Sequence, residues 1–410
     1  MATSAVKRGG LRAVPRSVWA IGFVSMFMDI SSEMIHSLMP IFLVGTLGAS
    51  VALVGLIEGV AEASASITKV FSGWLSDRLG KRKLLAVIGY GLGALSKPIF
   101  PLAVTPFEVL GARFADRIGK GIRGAPRDAL VADITELGAR GAAFGLRQAL
   151  DTIGAFLGPL IAIGLMLLLA GNIRAVFAWA IIPAVIAVIL MIFGVEERKR
   201  SLATKEVRVP VRWTEVRRMG RAYWGVVAVG VVFTLARFSE AFLVLRAQDV
   251  GLAATLIPLV LVTMNVVYAA VAAPAGVLSD RMSRPLLLAL GLGVLAVADI
   301  VLALWGSIPG VLFGVALWGV HMGITQGLLA ALVADAAPDR LRGTAFGLFN
   351  LAQGVVLLFA SVIAGILWSR FGPSSTFGLG AIFCGLALLG TWALLRRKRD
   401  VTEGDLSDSR

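Results

Sequence analysis

Long apolar stretches recur along the whole chain and are separated by short polar connections. Each holds roughly 20 residues or more, enough for an α-helix to cross about 30 Å of hydrocarbon. Helices are expected because backbone N–H and C=O groups must pair within the segment where water is absent. The pattern predicts an all-α membrane protein with twelve transmembrane helices, at 17–46, 51–76, 84–104, 107–134, 142–170, 173–194, 222–247, 253–279, 286–306, 309–336, 343–371 and 375–396.

One hydrophilic stretch divides the helices into two groups of six. We therefore predict five regions: an N-terminal tail (1–16), a first six-helix half (17–194), a linker (195–221), a second six-helix half (222–396) and a C-terminal tail (397–410).

The two halves are also related in sequence. Residues 131–133 and 140–146 of the first half recur as residues 333–335 and 342–348 of the second, at a constant offset. Parallel repeats of this kind are typical of transporters, in which the substrate route lies between the repeats near the membrane midplane.

Composition and charge agree with a membrane-embedded chain. Apolar residues make up 58% of the sequence, charged residues only 16%, and the mean hydropathy is +0.86, which excludes an ordinary soluble protein. The net charge of +14 is concentrated in the tails, the linker and the turn at 78–83. By the positive-inside rule this distribution predicts cytoplasmic termini and a cytoplasmic linker in a plasma (inner) membrane, and it argues against nucleic acid as a partner.

Other chemistries find no support in the sequence. A P-loop followed by Lys-Ser or Lys-Thr is missing, so ATP is not expected to drive the protein. No nucleophile-and-base arrangement indicates an enzyme, and the single cysteine, Cys384, excludes a disulfide framework. No cofactor is expected.

A family resemblance rests on the segment from Gly73 to Arg82, which reads GWLSDRLGKR. This segment resembles the signature loop between the second and third helices of the major facilitator superfamily. The resemblance covers the whole chain and implies two pseudo-symmetric six-helix halves, a monomer and a gating latch. The latch residues are Gly73, Asp77, Arg78, Gly80, Lys81 and Arg82, with Asp280 and Arg281 in the second copy, where Ser283 replaces the glycine.

Two further segments are similar to motifs of this family. The run from Arg113 to Gly121 resembles the fourth-helix motif, whose arginine is linked to proton coupling, although Asp116 and Arg117 stand where glutamine and glycine are usual. Helix five carries an approximate antiporter motif of proton-driven drug exporters, formed by Gly154, Gly158, Pro159 and Gly164. The alternative is that these small residues only allow tight helix packing.

Charged residues inside the predicted helices are the other informative feature. Each costs at least about 2.5 to 3.5 kcal/mol in lipid, so such residues should be paired or hydrated and are candidates for function. The helical spacing predicts that several of them meet in one cavity, where they would serve proton coupling or substrate binding. The candidates are Asp29, Glu33, His36, Glu58, Glu62, Arg113, Asp116, Arg117, Lys120, Arg237, Glu240 and His321.

Glu33 is our first choice for the proton carrier and Asp29 the second. The alternative is that Glu33 or Glu62 forms a fixed ion pair with Arg117 or Lys120 that only holds helices together.

A metal site is a second hypothesis. His36 and His321 are the two histidines of the chain, and with Asp29 and Glu33 they would offer the nitrogen and oxygen ligands that suit Ni²⁺, Co²⁺ or Fe²⁺. The alternative is that both histidines are hydrogen-bonded helix contacts or pH-sensitive groups.

The sequence as a whole favours a proton-coupled antiporter that exports a small drug-like or cationic solute by alternating access. Export of a divalent metal and proton-coupled uptake of an organic anion are the alternatives. In each case the partners are a small-molecule or ion substrate, protons and the lipid bilayer.

Overall fold

A computed structural model describes residues 14–197, 219–279, 281–325, 327–338 and 341–407. The predicted linker and N-terminal tail lie almost entirely outside these residues. Twelve long helices are present in the described chain, and they are numbered here in chain order. They are α1 Arg16–Thr46, α2 Val51–Leu79, α3 Arg82–Leu102, α4 Pro106–Ile134, α5 Arg140–Leu168, α6 Ile173–Phe193, α7 Arg221–Asp249, α8 Ala254–Ser279, α9 Arg284–Leu304, α10 Ile308–Ala336, α11 Arg342–Phe371 and α12 Pro373–Ser407.

Several of these helices are interrupted. α1 ends its regular part at His36 and closes with a π-helical turn over Phe42–Thr46. α7 consists of Arg221–Ala236 and Ala241–Asp249, and α10 of Ile308–Thr325 and Leu328–Ala336. The remaining interruptions separate Arg82–Ser96 from Ile99–Leu102, Ile173–Trp179 from Ile181–Phe193, and the 3-10 turn Ala254–Leu256 from Leu259–Ser279.

Eleven of the twelve helices are long and apolar enough to cross a membrane by length and composition alone. The exception is α4, which has 29 residues but carries many charges. Its start is well defined, because the Thr105 hydroxyl accepts a hydrogen bond from the Glu108 N–H at 3.4 Å and Pro106 occupies the first turn. The Glu108 carboxylate in turn accepts from the Val104 N–H at 2.7 Å. The predicted twelve-helix fold is therefore confirmed.

The chain divides into two compact units. The first comprises Met1–Gly48, Val60–Pro210 and Ala254–Leu259, and the second comprises Ala49–Gly59, Val211–Ala253 and Val260–Arg410. Within the first unit α1 packs against α5 and α6, and α3 against α4 and α6. The second unit repeats this arrangement, since α7 packs against α11 and α12, and α9 against α10 and α12.

Each unit has its own buried apolar core. In the first it is built mainly from α1, α3, α4, α5 and α6, around residues such as Met28 and Tyr90. In the second it is built from α7, α9, α10, α11 and α12, around residues such as Tyr223 and Phe349. Lateral packing of the helices in each unit positions the buried polar groups described below.

The internal repeat extends to individual side-chain contacts. Arg82 forms an ion pair with Asp133 at 2.6 Å and donates to the Ala129 carbonyl, also at 2.6 Å. The corresponding contacts recur 202 positions later, where Arg284 pairs with Asp335 and donates to the Ala331 carbonyl. The same contacts therefore join the start of α3 to the end of α4 and the start of α9 to the end of α10.

Candidate functional site

Buried charges in the first unit centre on Asp116 of α4. The Lys97 ammonium of α3 lies 2.9 Å from Asp116 Oδ1 and also donates to the Ser32 hydroxyl of α1 at 3.0 Å. On the other side of the carboxylate, Arg117 Nε lies 3.7 Å and Arg113 4.0 Å from Oδ2. The side chains of Lys97 and Asp116 are only 1% and 3% exposed. Asp116 is thus held as a carboxylate by three cations.

Glu62 of α2 extends this cluster. Its carboxylate lies 3.4 Å from Arg117. This contact has the partners of the ion pair that the sequence left open as an alternative for Glu62. The Glu62 side chain remains 32% exposed, so this end of the cluster is accessible while Arg117 is buried.

Glu33 has a weaker partner than Asp116. His36, three residues along α1, places Nδ1 3.6 Å from the Glu33 carboxylate, and the two side chains are 22% and 12% exposed. Asp29 is half-buried one turn earlier on the same helix, whereas Lys120 of α4 is exposed. The predicted face of α1 is therefore formed, and its acids are partly accessible.

α5 packs on α1 at the level of these acids. A Cβ atom at Gly154 would lie 2.6 Å from the Met26 carbonyl and 3.1 Å from the Asp29 Cβ, and one at Gly158 would lie 2.7 Å from the Glu33 Cβ. Only glycine permits so close an approach. Gly164, in contrast, has nothing within 4 Å of the equivalent position. Gly154 and Gly158 therefore hold α5 against α1, and Gly164 does not take part.

A second polar network lies nearer the beginning of α5. Arg147 pairs with Asp151 at 2.6 Å, and Arg127 of α4 lies 3.9 Å from the same carboxylate. Arg127 also donates at 2.9 Å to the Ser25 hydroxyl of α1, which in turn is 3.0 Å from the Tyr90 hydroxyl. These contacts connect α1, α3, α4 and α5.

Other predicted residues lie elsewhere. Glu58 is buried in the second unit, where its carboxylate accepts a hydrogen bond from the Ser239 hydroxyl at 3.3 Å. Arg237 and Glu240 lie within the predicted span 222–247, at the point where the helix is interrupted between Ala236 and Ala241. Their predicted place in the cavity stays a prediction.

His321 is a hydrogen-bonded helix contact. Its Nδ1 lies 2.8 Å from the Gly291 carbonyl of α9, and its ring packs against Phe233 with centroids 5.5 Å apart. Within the described residues no group of three or more His, Cys, Asp or Glu side chains is arranged to hold a metal ion. The predicted metal site formed by Asp29, Glu33, His36 and His321 therefore has no geometric support.

The signature loop is partly described. Gly80 adopts a left-handed conformation with φ of 65° and ends α2, and Arg78 stacks over the Trp74 ring at 5.4 Å. Gly73 faces Ala125 of α4, and Lys81 is exposed before α3 begins. In the second copy Arg281 is exposed. The Asp77 side chain and all of Asp280 lie outside the described part of the chain, so their predicted latch role stays a prediction.

Lys97 was not among the predicted residues. It lies inside the predicted span 84–104, at the point where α3 is interrupted before Pro98, and it is buried. Asp299 and Arg246 were not predicted either, although both are buried. The signal that could have revealed Lys97 and Asp299 is the repeat itself, because they are 202 positions apart and each is an isolated charge in an apolar span.

Comparison with known proteins identifies the relatives of this chain. The family model described as Major Facilitator Superfamily matches residues 21–246 and 241–409. An uncharacterized MFS-type transporter of Methanocaldococcus jannaschii is 31% identical over 387 residues, which cover 92% of this chain and 95% of the relative. The inner membrane transport protein YajR of Escherichia coli is 24% identical, with 91% and 82% covered.

Among solved structures, a POT family transporter in complex with 5-aminolevulinic acid superposes with a TM-score of 0.77 at 12% identity. The match covers 96% of this chain and all of that one. At this identity the similarity concerns the fold alone.

Proposed function

Because the chain belongs to the major facilitator superfamily and is a multi-pass membrane transporter rather than an enzyme, we propose that it is a proton-coupled antiporter. It exports a small cationic or drug-like solute by alternating access. The observation that carries the proposal is the set of half-buried acids on α1, Asp29 and Glu33, which face the glycines of α5 beside a cluster of buried cations. A plasma-membrane location with cytoplasmic termini follows from the distribution of basic residues.

Glu33 is the proton carrier in this proposal. A group that exchanges protons must have a neutral form that its surroundings tolerate and a route to water. Asp116 lacks both, because Lys97 and two arginines surround it and its side chain is only 3% exposed. Glu33 is better placed, since its direct partner His36 at 3.6 Å can itself become neutral and the carboxylate is 22% exposed, while Lys120 and Arg117 act on it without a recorded contact.

Competition explains how one acid would couple two fluxes. A cationic solute and a proton both neutralise the Glu33 carboxylate, so binding of one disfavours binding of the other. A net charge that crosses a potential of 100 mV releases about 2.3 kcal/mol. Since about 1.4 kcal/mol corresponds to a factor of ten, an exchange that moves one net charge sustains a more than tenfold solute gradient. For a monovalent cation this requires two protons per solute, and for a neutral solute it requires one.

The close packing at Gly154 and Gly158 suits a proton-coupled carrier. Backbone contact between α1 and α5 leaves little room for the two helices to separate at the level of Asp29 and Glu33. A tight seal of this kind reduces proton leakage past the acids while the carrier is unloaded.

The test measures proton movement in acid-loaded everted vesicles that contain the full-length protein. A lipophilic cation such as tetraphenylphosphonium, single divalent metals and organic anions are added one at a time. We expect proton release on addition of a lipophilic cation, loss of this release in Glu33→Gln, and its retention in Glu136→Gln. Glu136 is the matched control because it is an exposed acid between α4 and α5. Proton-coupled transport that survives intact in Glu33→Gln would refute the assignment of the carrier.

Uptake of an organic anion is the second candidate, and a specific observation favours it. Lys97, Arg113, Arg117 and Arg123 are all buried on α3 and α4, whereas Asp116 is the one buried acid on the described parts of these two helices. An anionic substrate would be attracted to this surplus of positive charge. In the same vesicle assay, movement of an organic anion together with protons, with no response to cations, would favour this candidate over export.

A further inference from the structure

Asp299 of α9 is a fully buried acid outside the site described above. Its exposed fraction is 0%. The indole N–H of Trp318 on α10 donates to Oδ1 at 3.1 Å. Oδ2 is buried and has no hydrogen-bond partner among the described residues. The carboxyl group therefore has one neutral donor and one unsatisfied oxygen.

The internal repeat shows what is unusual about this acid. The offset of 202 positions that relates the two halves maps Lys97 onto Asp299 and Asp116 onto Trp318. In the first unit these positions hold an ion pair at 2.9 Å, and in the second they hold the contact between Asp299 and the Trp318 indole at 3.1 Å. In the first unit the acid lies on α4 and its cationic partner on α3, whereas in the second unit the acid lies on α9 and its partner on α10 is an indole.

Among the described residues no cation is recorded in contact with the Asp299 carboxylate. The titratable groups near it are His321 of α10 and Cys384 of α12, which interacts electrostatically with Asp299. Arg246 of α7 donates to the Leu302 carbonyl, one turn along α9, but its guanidinium is paired with Asp249. Arg237, at the break in α7, interacts electrostatically with His321. Arg284, at the beginning of α9, is paired with Asp335 and lies fifteen residues, or about 22 Å, from Asp299 along the helix.

An ionised Asp299 would be costly in this position. Burial of an uncompensated charge is unfavourable even after relaxation, and one hydrogen bond from a neutral donor offsets only part of that cost. A neutral carboxyl group avoids the cost, because Oδ1 accepts from Trp318 and a proton resides on Oδ2.

We propose that Asp299 is a proton-binding site of the second unit, neutral in this conformation, with an exchangeable proton on Oδ2. Loss of the proton is a simple dissociation, in which the O–H bond breaks, its electron pair stays on Oδ2 and the proton passes to water. The site is independent of Glu33 and of the direction of transport, so it goes beyond the function proposed above.

Oδ2 faces the backbone of α12. A Cβ atom at Gly380 would lie only 2.4 Å from Oδ2, so the carboxyl group is in contact with this helix. Gly380 also lines a small, mostly apolar cleft together with Phe238, Ala364 and Thr376, which has room for about one water molecule. A small shift of α12 at Gly380 would let a water molecule in this cleft reach Oδ2.

The test uses infrared spectroscopy of the full-length protein in liposomes at neutral pH. A neutral carboxyl group has a C=O stretching band distinct from those of carboxylates and amides. We expect this band in the wild type, its loss in Asp299→Asn, and no change in Asp249→Asn. Asp249 is the control because it is a partly exposed acid with an arginine partner, Arg246. A wild-type spectrum indistinguishable from that of Asp299→Asn would overturn the proposal.

Trp318→Phe provides a second variant if Asp299→Asn does not fold. Loss of the indole donor should move the band to higher frequency, because the C=O bond of Oδ1 is then no longer weakened by a hydrogen bond. A band that does not respond belongs to another carboxyl group and contradicts the assignment. Transfer to D₂O then tests whether the proton exchanges with solvent. The band should shift well before the protected backbone amides exchange. A band that shifts only after them shows a proton that does not exchange with solvent and contradicts the proposal.

Discussion

Substitution of Asp116 by asparagine tests whether this acid anchors the charges of the first unit. Asp116 attracts Lys97 at 2.9 Å, Arg117 at 3.7 Å and Arg113 at 4.0 Å. With an effective dielectric constant of about 20, the gross attraction is about 6 kcal/mol for Lys97 and about 4 kcal/mol for each arginine. Desolvation offsets much of this attraction in the folded protein. Removal of the acid alone leaves three buried cations without their shared partner.

We therefore expect Asp116→Asn to lower the free energy of unfolding by about 3 to 5 kcal/mol, the range for breaking a buried ion pair from one side. Lys97→Met should cost less, about 1 to 3 kcal/mol, because the carboxylate keeps both arginines and repulsion among the cations falls. The asymmetry between the two variants is the specific consequence of the three-cation arrangement.

The measurement is reversible unfolding in mixed micelles, followed by tryptophan fluorescence. Asp128→Asn is the matched control, since Asp128 is an acid on the same helix with an arginine partner but is 39% exposed, and we expect a change of at most about 1 kcal/mol. The reasoning fails if Lys97→Met is as destabilising as Asp116→Asn, or if Asp116→Asn is no worse than the control.

Two further predictions concern the packing of α5 on α1 and the corresponding ion pairs of Arg82 and Arg284. Gly158→Ala should destabilise the protein by about 1 to 3 kcal/mol and abolish proton release in vesicles, because the added methyl group meets the Glu33 Cβ. Gly164→Ala has free space for the methyl group and should behave like the wild type. Equal behaviour of the two variants would contradict this prediction. Arg82→Gln should lower the free energy of unfolding by about 1 to 2 kcal/mol, since the Arg82 side chain is 11% exposed and contacts both a carboxylate and a carbonyl. Arg284→Gln should lower it by less than about 1 kcal/mol in the same assay, since the Arg284 side chain is 42% exposed. A larger loss in Arg284→Gln than in Arg82→Gln would refute the role of burial.

The fold could be predicted from the sequence because its determinants are local. Each apolar stretch is long enough to predict one membrane-spanning helix, and the repeat of residues 131–146 at 333–348 indicates two equivalent halves. The ends of the helices were less predictable. α12 continues to Ser407, past the predicted end of the span at 396, because nothing in the basic segment that follows prevents helical hydrogen bonding. An apolar pattern marks the membrane-spanning part of a helix, not its last turn.

The candidate site could be predicted only in part, because ion pairing depends on contacts between helices. The spacing of Asp29, Glu33 and His36 placed them on one face of α1, and Glu33 and His36 are indeed in contact. Glu58 and Glu62 share the same spacing but belong to different units. Periodicity describes which residues share a face of a helix, whereas the partners on that face depend on how the helix packs along its length.

The two halves show how one fold position can carry two chemistries. Where α3 meets α4, Gly89 and Gly119 let the backbones touch, and at the corresponding contact of α9 with α10 the His321 ring fills the space and bonds to the Gly291 carbonyl. The neighbouring polar position holds Lys97 with Asp116 in one half and Asp299 with Trp318 in the other. In the proposed mechanism a carboxyl group held by three cations stays charged, whereas one beside a single indole is neutral and loses its proton when water reaches it. On this proposal Asp116 is an anchor of the first unit, and proton exchange falls to Glu33 there and to Asp299 in the second.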